Sequence, residues 1–188
     1  MTLRDRVALG MSLPHRSPDP LALTTIAAVA RRAEELGFGH LFVQHHLFYP
    51  HEVVSGYSAR PGLAVPEAYR SVLQPLELLG VVAGWTSEIV LGTSILVAGY
   101  HRPVDLAQRF LTMHALTGGR FSAGVGAGST KADYDACGLN FDDRFKMLRD
   151  GTRIQLELYA NLKVERIQLG ATSLKYERDR NTVYVDFP

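Results

Sequence analysis

The chain has 188 residues, of which 46% are hydrophobic and 21% are charged, a composition typical of globular proteins. Twenty Lys and Arg against nineteen Asp and Glu give a net charge of +1, which excludes a strong field for nucleic acid or an anionic membrane. The single cysteine, Cys137, excludes an intramolecular disulfide and favours the reducing cytoplasm. No apolar run approaches the ~20 residues that span a bilayer, and no signal peptide is recognised.

Strand-like runs alternate with helix-like runs over most of the chain. The first strand is predicted over Arg6–Leu13 and the first helix over Pro20–Leu36. Asp19 is the expected N-cap of that helix, and Gly37 is the glycine expected to end it. The second strand, His40–His46, is apolar until its last three residues.

Residues 47–74 interrupt this alternation with three prolines, three tyrosines and no periodicity, which is typical of a lid or a binding loop. Regular elements then resume. They are predicted as a helix over Pro75–Trp85, a strand over Ile89–Val97, a helix over Pro103–Leu116, a strand over Arg120–Val125 and a helix from Phe141 to about Tyr159 with Asn140 as its cap.

Four βα units in series predict an α/β fold with a parallel sheet covered by helices. An open doubly wound sheet and part of a (β/α)8 barrel both agree with this order, but a complete barrel typically needs ~250 residues. After the fourth helix the period changes to that of short strands with hairpin-like turns, at Val164–Leu169, Ser173–Arg178 and Thr182–Phe187.

His45 and His46 end the second strand, and active sites lie at this end of parallel strands. Neighbouring strand residues point to opposite faces, so at most one of the two is expected to face the interior. That histidine is a candidate acid or base, or a hydrogen-bonding partner of a cofactor ring, against the alternative of a packed loop histidine. No carboxylate or third histidine lies nearby at metal-ligand spacing, so no metal site is predicted.

Two further features are ambiguous from the residues alone. Gly124–Ser129 is glycine-rich and follows a strand, but it lacks the dinucleotide-binding spacing and no helix is expected directly after it. Arg144 lies at a helix start, where it either binds a phosphate or pairs with Asp142 or Asp143. Cys137 has no base beside it and is interpreted as structural.

Taken together, segments in order along residues 5–160 resemble the luciferase-like monooxygenase family, which includes bacterial luciferase and many flavin- and deazaflavin-dependent relatives. No single segment is specific, but the ordered set is. The segments are AEELGF at 33–38 followed by His45-His46, IVLGTS at 89–94 followed by HRPV at 101–104, LTGGRF at 116–121 followed by GVGAG at 124–128, and FDDR at 141–144.

The resemblance implies the first half of a TIM barrel, with a flavin over the carboxyl ends of the strands. It implies that His45 lies near the reacting face of the flavin, as an acid or base or as a positioning group. Ser94 and Ile95 fall where the family has a non-prolyl cis peptide packed against the ring, and Arg144 matches an arginine that binds the cofactor phosphate. Gly126 is assigned to the cofactor site where bacterial luciferase has a reactive cysteine, so no thiol chemistry is expected.

Two departures from the family matter. Gln44 stands where an acid commonly precedes the strand-two histidine, and it cannot raise the histidine's basicity as a carboxylate would. The chain also ends where the fifth strand is expected, so residues 1–162 are interpreted as a partial barrel domain and 163–188 as its hairpin-like extension. Open sheet edges and an apolar interior then favour assembly with another copy or with a partner subunit that completes the barrel. The alternatives are terminal strands that fold back over an edge, or a fragment that folds poorly.

The resemblance implies a flavin-dependent oxidoreductase or monooxygenase that uses reduced FMN or a deazaflavin (coenzyme F420) on a small organic substrate. The alternative is a non-catalytic shortened relative, a subunit or scaffold that pairs through its open edge. An open-sheet nucleotide binder that uses Gly124–Gly128 is a third possibility, which the poor glycine spacing disfavours.

Overall fold

The computed structural model describes residues 9–48 and 66–150, and the backbone alone of 151–152, 156–157, 168–169, 172–173, 176–179 and 182–185. In chain order the elements are β1 (Gly10–Ser12), β2 (Arg16–Ser17), α1 (Leu23–Glu35), β3 (His40–Val43), β4 (Ser71–Val72), α2 (Pro75–Ala83), β5 (Val90–Thr93), β6 (Leu96–Val97), α3 (Pro103–Leu116), β7 (Phe121–Ser122), β8 (Val125–Gly126), α4 (Lys131–Ala136), α5 (Arg144–Thr152), β9 (Leu156–Glu157), β10 (Gln168–Leu169), β11 (Thr172–Ser173), β12 (Tyr176–Asp179) and β13 (Thr182–Val185). Single 3-10 turns lie at Glu67–Tyr69, Ala98–Tyr100 and Phe141–Asp143.

A parallel sheet in the order β1-β3-β5-β7 organises the fold, as the βα alternation predicts. Leu41 on β3 pairs with Leu91 on β5, and both side chains are fully buried. Helices α1 and α2 contribute apolar faces, through Ile26 and Leu79 among others, to the same core. Burying each such side chain stabilises the fold by about 1.5–3 kcal/mol, so the core holds the strand ends in fixed positions.

The first helix begins later than predicted. It starts at Leu23, and its N-cap is Ala22, whose side chain forms no capping hydrogen bond. The prediction of Asp19 as the N-cap is therefore wrong. The predicted stop is confirmed, because Gly37 has a φ of +79° that other residues rarely adopt. The sequence Asp19-Pro20 favours a helix start, but the packing of Ile26 in the core prevails, because it sets where the helix meets the core.

The predicted strands three and four are each broken in two. β5 is followed by β6 after the Ser94–Ile95 peptide bond, which is cis, as the resemblance implies. β6 pairs in parallel with β8, one step beyond the pairing of β5 with β7. This offset ladder displaces the ends of the two strands and shapes the carboxyl edge of the sheet.

The segment after β8 differs most from the prediction. A short helix, α4, opens at Lys131 close behind the glycine-rich turn, where no helix was expected. The predicted fourth helix is shorter, because α5 ends at Thr152 and Leu156–Glu157 is the strand β9. Asn140 does cap the 3-10 turn before α5, since its side chain accepts a hydrogen bond from the Asp142 N–H.

The last strands form a separate antiparallel sheet in the order β12-β13-β9, and β10 pairs with β11. The hairpin of β12 with β13 confirms the predicted hairpin-like segment. Within the predicted loop 47–74, β4 pairs with β2, while residues 49–65 lie outside the described part of the chain. Nothing in the described helices has the length and apolar character needed to cross a membrane.

Two charged side chains fasten the amino ends of β5 and β7. The carboxylate of Glu34, on α1, accepts hydrogen bonds from the backbone N–H groups of Ser87, Glu88 and Ile89 at 2.7–2.9 Å. Arg120 donates to the Ile89 and Thr86 carbonyls at 2.8 and 3.0 Å. These contacts join the end of α1 to the start of β5 across more than fifty residues of sequence.

Replacing Glu34 with alanine is expected to lower the free energy of unfolding at pH 7 by about 1–2 kcal/mol, because three N–H donors lose a charged acceptor. Burial raises the pKa of Glu34, but the hydrogen bonds from Ile89, Glu88 and Ser87 outweigh it and lower the pKa. The stabilisation is therefore present above the ordinary value of 4.5 and is lost as the pH falls through the lower pKa of the folded state.

Denaturant titrations at pH 7 and at decreasing pH measure this effect. The matched control is Glu35→Ala, since Glu35 is exposed and forms a surface pair with Arg32, and a change below about 0.5 kcal/mol is expected there. Equal destabilisation by the two substitutions would contradict the assigned role of Glu34.

Candidate functional site

A cleft of about 490 Å³ opens at the carboxyl ends of β3 and β5, the edge where active sites of parallel α/β folds lie. Its size is that of a small-molecule site. The described residues that line it come from the ends of β2, β3, β5 and β6 and from the start of α4, and they are Arg16, Gln44, His45, His46, Tyr69, Ser94, Ile95, Val97, Tyr100, Gly128, Ser129, Thr130 and Asp133.

His45 is a buried titratable group of the cleft, with 5% of its surface exposed. Its Nδ1 accepts a hydrogen bond of 3.2 Å from the backbone N–H of Val97, which places the ring hydrogen of the neutral form on Nε2. Burial, together with the neighbouring His101, lowers the pKa of His45 to about 4. His45 is therefore a neutral hydrogen-bond donor at neutral pH.

His46 also lines the cleft, so the prediction that at most one of the two histidines faces the interior is wrong. Side chains alternate between the two faces of the sheet only as far as Val43, where β3 ends. The backbone beyond Val43 is irregular, and it turns the rings of both histidines towards the cleft. Nδ1 of His46 lies 3.5 Å from Oδ2 of Asp133, and the His46 ring meets the edge of Tyr69 with centroids 4.5 Å apart.

Asp133 is a carboxylate with 1% of its surface exposed in the wall of this cleft. Burial and the negative charge of Asp133 raise the pKa of Tyr100, whose ring also meets the edge of His45 at 5.4 Å. The cleft thus brings together one acid, two imidazoles and two phenols, Tyr69 and Tyr100.

Three buried polar atoms on the lining residues have no hydrogen-bond partner among the described residues: Oε1 of Gln44, Oγ1 of Thr130 and Oδ1 of Asp133. Buried polar groups in folded proteins are nearly always paired, and an unpaired one costs about 1–3 kcal/mol. These atoms therefore mark where the cleft is complementary to a polar ligand.

Ser94 and Ile95 line the cleft, as expected, and the Ile95 side chain is 36% exposed. Gly126 does not line it but lies behind Ile95, where a β-carbon would come within 2.9 Å of Cδ1 of Ile95. The absence of a side chain at Gly126 therefore leaves room for Ile95 to stand in the wall of the cleft.

Arg144 is not brought into the cleft. Its guanidinium donates to the Phe141 carbonyl at 3.1 Å and stacks on the rings of Phe141 and Phe145. The cation that does line the cleft is Arg16, which stacks on the Tyr69 ring at 4.6 Å and donates a hydrogen bond to its hydroxyl.

Sequence reasoning missed Arg16, Tyr69, Tyr100, Thr130 and Asp133. Tyr69 falls within the predicted binding loop, and the spacing Thr130-x-x-Asp133 is a helix-start signature that predicts α4. Arg16 and Tyr100 carry no such local signal, because their position follows from the pairing of β2 with β4 and from the turn after β6. Among the described residues, no three His, Cys, Asp or Glu side chains are grouped to hold a metal ion.

Solved structures share this fold. The oxygenating constituent of 3,6-diketocamphane monooxygenase from Pseudomonas putida, a type II Baeyer-Villiger monooxygenase in complex with FMN, superposes with a TM-score of 0.62 at 14% identity. The match covers 95% of this chain and 43% of that one.

Two curated relatives are more similar in sequence. An uncharacterised protein of Mycobacterium tuberculosis is 32% identical over 127 residues, which are 67% of this chain and 45% of the relative. An F420-dependent glucose-6-phosphate dehydrogenase of Kineococcus radiotolerans is 31% identical over 152 residues, which are 79% of this chain and 40% of the relative. The chain thus spans less than half the length of these relatives.

The family model described as luciferase-like monooxygenase matches residues 7–176 of this chain. The parallel order β1-β3-β5-β7 and the superposition on part of a longer chain agree with that match. The chain belongs to the luciferase-like monooxygenase family.

Proposed function

We propose that this chain binds FMN or a deazaflavin in the cleft described above and acts as an oxidoreductase on a small organic substrate. The observation that carries the proposal is the buried, neutral His45 at the carboxyl end of β3, facing a cleft of cofactor size. Family membership supports it, since one relative is named for coenzyme F420 and one similar fold was solved with FMN.

The residues present suit a tricyclic ring. Ile95 offers an apolar surface at the end of β5, and the edges of Tyr100 and His45 meet beside it. Oε1 of Gln44 is a buried acceptor without a partner among the described residues, which matches a ring N–H. A flavin and a deazaflavin both carry such groups on the pyrimidine edge.

When bound, the cofactor supplies the transfer of hydride or, for a reduced flavin, the activation of dioxygen. The protein orients the reactants and excludes water. His45 holds a proton on Nε2 and its orientation is fixed through the Val97 N–H, while Ile95 and Val97 keep that side of the cleft apolar. A fixed donor beside a developing negative charge is worth more in such a site than in water.

Binding is tested by titrating the full chain with oxidised FMN and, separately, with coenzyme F420, following absorbance and fluorescence. A saturable spectral change at micromolar cofactor is expected for one of the two. No perturbation by either at high micromolar concentration would overturn the proposal for this chain.

The phosphate-binding residue is tested by comparing FMN with riboflavin, which lacks the phosphate. The family resemblance is what supports Arg144 for this role, and we propose that its guanidinium leaves Phe141 to bind a phosphate that extends beyond the described lining of the cleft. Arg144→Gln is then expected to weaken FMN by about tenfold, equivalent to 1.4 kcal/mol, and to leave riboflavin unchanged. Arg16→Gln is the matched variant, because Arg16 is the guanidinium that lines the cleft. The loss of FMN affinity in Arg16→Gln alone would transfer the role to Arg16.

A second function remains a proposal: a non-catalytic subunit that pairs with another copy or a partner. Gln44, where the family commonly has an acid, favours it, as do exposed apolar side chains such as Leu9, Val104 and Leu116. A stable oligomer by light scattering without any cofactor binding would support this function, whereas a well-folded monomer at micromolar concentration would contradict it.

A further inference from the structure

Thr130 and Asp133 stand where a helix start normally uses both side chains. In the pattern Thr-x-x-Asp, the threonine hydroxyl accepts from the third N–H of the helix, and the acidic residue bonds back to the first residue. In α4 neither bond forms: Thr130 makes no side-chain cap, and within the described part of the chain its Oγ1 has no partner. Oδ1 of Asp133 has no partner either.

Both side chains are almost fully buried, with 8% of Thr130 and 1% of Asp133 exposed, and both line the cleft. An exposed helix start would lose little by such an arrangement, because water would satisfy the groups. Here water is largely excluded, so two polar groups forgo available bonds to the helix. When side chains inside a cleft forgo the usual helix-capping bonds and no other group of the protein replaces those bonds, a ligand-binding role is indicated.

The two atoms differ in hydrogen-bonding capacity. A carboxylate only accepts, whereas a threonine hydroxyl both donates and accepts. An alcohol hydroxyl is complementary to the pair, because it donates to Asp133 and accepts from Thr130. A carbonyl or an ether oxygen lacks the proton for Asp133, and an anionic group is repelled by it.

We propose that Oγ1 of Thr130 and Oδ1 of Asp133 form a subsite for a hydroxyl group of the substrate, so that the substrate class is an alcohol. This inference rests on the proposed function for its place in a reaction, but not for the binding itself. The other oxygen of Asp133 lies 3.5 Å from Nδ1 of His46, and the carboxylate also interacts with the side chain of Tyr100, so it is held in position before the ligand arrives.

The first test uses the ligand-free chain. Thr130→Val keeps the shape of the side chain and removes an unpaired hydroxyl, so the melting temperature is expected to rise by a few degrees. The matched control is Thr117→Val, because Thr117 is also buried, with 2% of its surface exposed, but its hydroxyl donates to the Met113 carbonyl at 2.8 Å. A fall in melting temperature for Thr130→Val as large as that for Thr117→Val would overturn the proposal, since it would show that the hydroxyl is already satisfied.

The second test measures selectivity with two probes of similar shape, cyclohexanol and methoxycyclohexane, by saturation-transfer NMR on the full chain. Cyclohexanol is expected to bind about tenfold more tightly. Thr130→Val and Asp133→Leu, which has nearly the shape of aspartate, are each expected to reduce the preference to about threefold or less. Asp133→Asn provides a second variant at this position if leucine prevents folding. Equal binding of the two probes, or no saturable binding of cyclohexanol, would overturn the proposal.

Titration of the same variants with FMN and coenzyme F420 separates a substrate hydroxyl from a ring N–H of the cofactor. Unchanged cofactor affinity in Thr130→Val is expected. A loss of cofactor affinity there, without alcohol selectivity in the unmodified chain, would assign the pair to the cofactor and overturn the inference. Alcohol selectivity without any cofactor binding would support the subsite while contradicting the proposed function.

Discussion

Replacing Gly124 with alanine is expected to destabilise the fold by more than about 3 kcal/mol. A β-carbon at this position would lie 2.1 Å from the backbone carbonyl oxygen of Thr93, a distance that no rotamer change relieves. The Gly124 carbonyl accepts from the Leu96 N–H and from the Thr93 hydroxyl, both at 2.8 Å, so the two strands cannot separate without losing these bonds. The offset between the β5–β7 and β6–β8 pairings depends on this close approach.

Chemical denaturation of Gly124→Ala beside Gly80→Ala measures the effect. Gly80 lies inside α2, and the nearest atom to a new β-carbon there is the Met113 sulfur at 3.8 Å. The control is therefore expected to gain about 0.5–1 kcal/mol from helix propensity. Similar stabilities for the two variants would show that β7 and β8 can move away from β5 at little cost.

Replacing His45 with asparagine is expected to remove a large part of the acid sensitivity of the fold. The pKa of His45 is lowered from 6.5 to about 4, so the unfolded chain takes up a proton below pH 6.5 that the folded chain does not. Stability is therefore full above pH 6.5 and falls as the pH decreases towards 4, by about 3 kcal/mol from this group alone. Asparagine does not titrate, and its side-chain oxygen can replace Nδ1 as acceptor for the Val97 N–H.

Urea titrations between pH 7 and pH 4 compare the slopes of the two proteins. His45→Ala is a second variant, because it leaves the buried Val97 N–H without a partner and is expected to lower stability at pH 7 as well. Parallel slopes for the unmodified chain and His45→Asn would show that the ring is accessible to protons. Under the proposed function, both variants are also expected to lose at least about a hundredfold in turnover.

The parallel sheet could be predicted because the pattern that produces it, a strand followed by a helix, is repeated along the chain. Apolar strands such as that at Leu91 alternate with amphipathic helices that end at glycines of positive φ, Gly37 and Gly118 among them. The strand-end position already made a histidine of the pair His45-His46 a candidate, and the resemblance to a known family added the choice of His45 and the places of Ser94 and Ile95. His45, Ser94 and Ile95 do meet at one cleft, whereas their part in cofactor binding stays a prediction.

The remaining site residues could not be predicted because they depend on tertiary structure. His46 faces the cleft since β3 stops at Val43, a boundary that depends on pairing with β5 and not on the apolar run itself. Asp133 lies on a helix of six residues that is too short to show a period. Arg144 matches a sequence motif, but its guanidinium is engaged by Phe141.

The two ends of the sheet carry different kinds of interaction. At the amino ends, the side chains of Glu34 and Arg120 form hydrogen bonds with the main chain, whereas at the carboxyl ends Thr130 and Asp133 each keep an atom without a partner among the described residues. Substitutions at the two ends are accordingly expected to have different effects. Those at the amino ends would change the amount of folded protein in the cell, and those at the carboxyl ends would change its chemistry at constant abundance. A protein built in this way can acquire new specificities through substitutions at the carboxyl ends of its strands, without first gaining stability through substitutions at the amino ends.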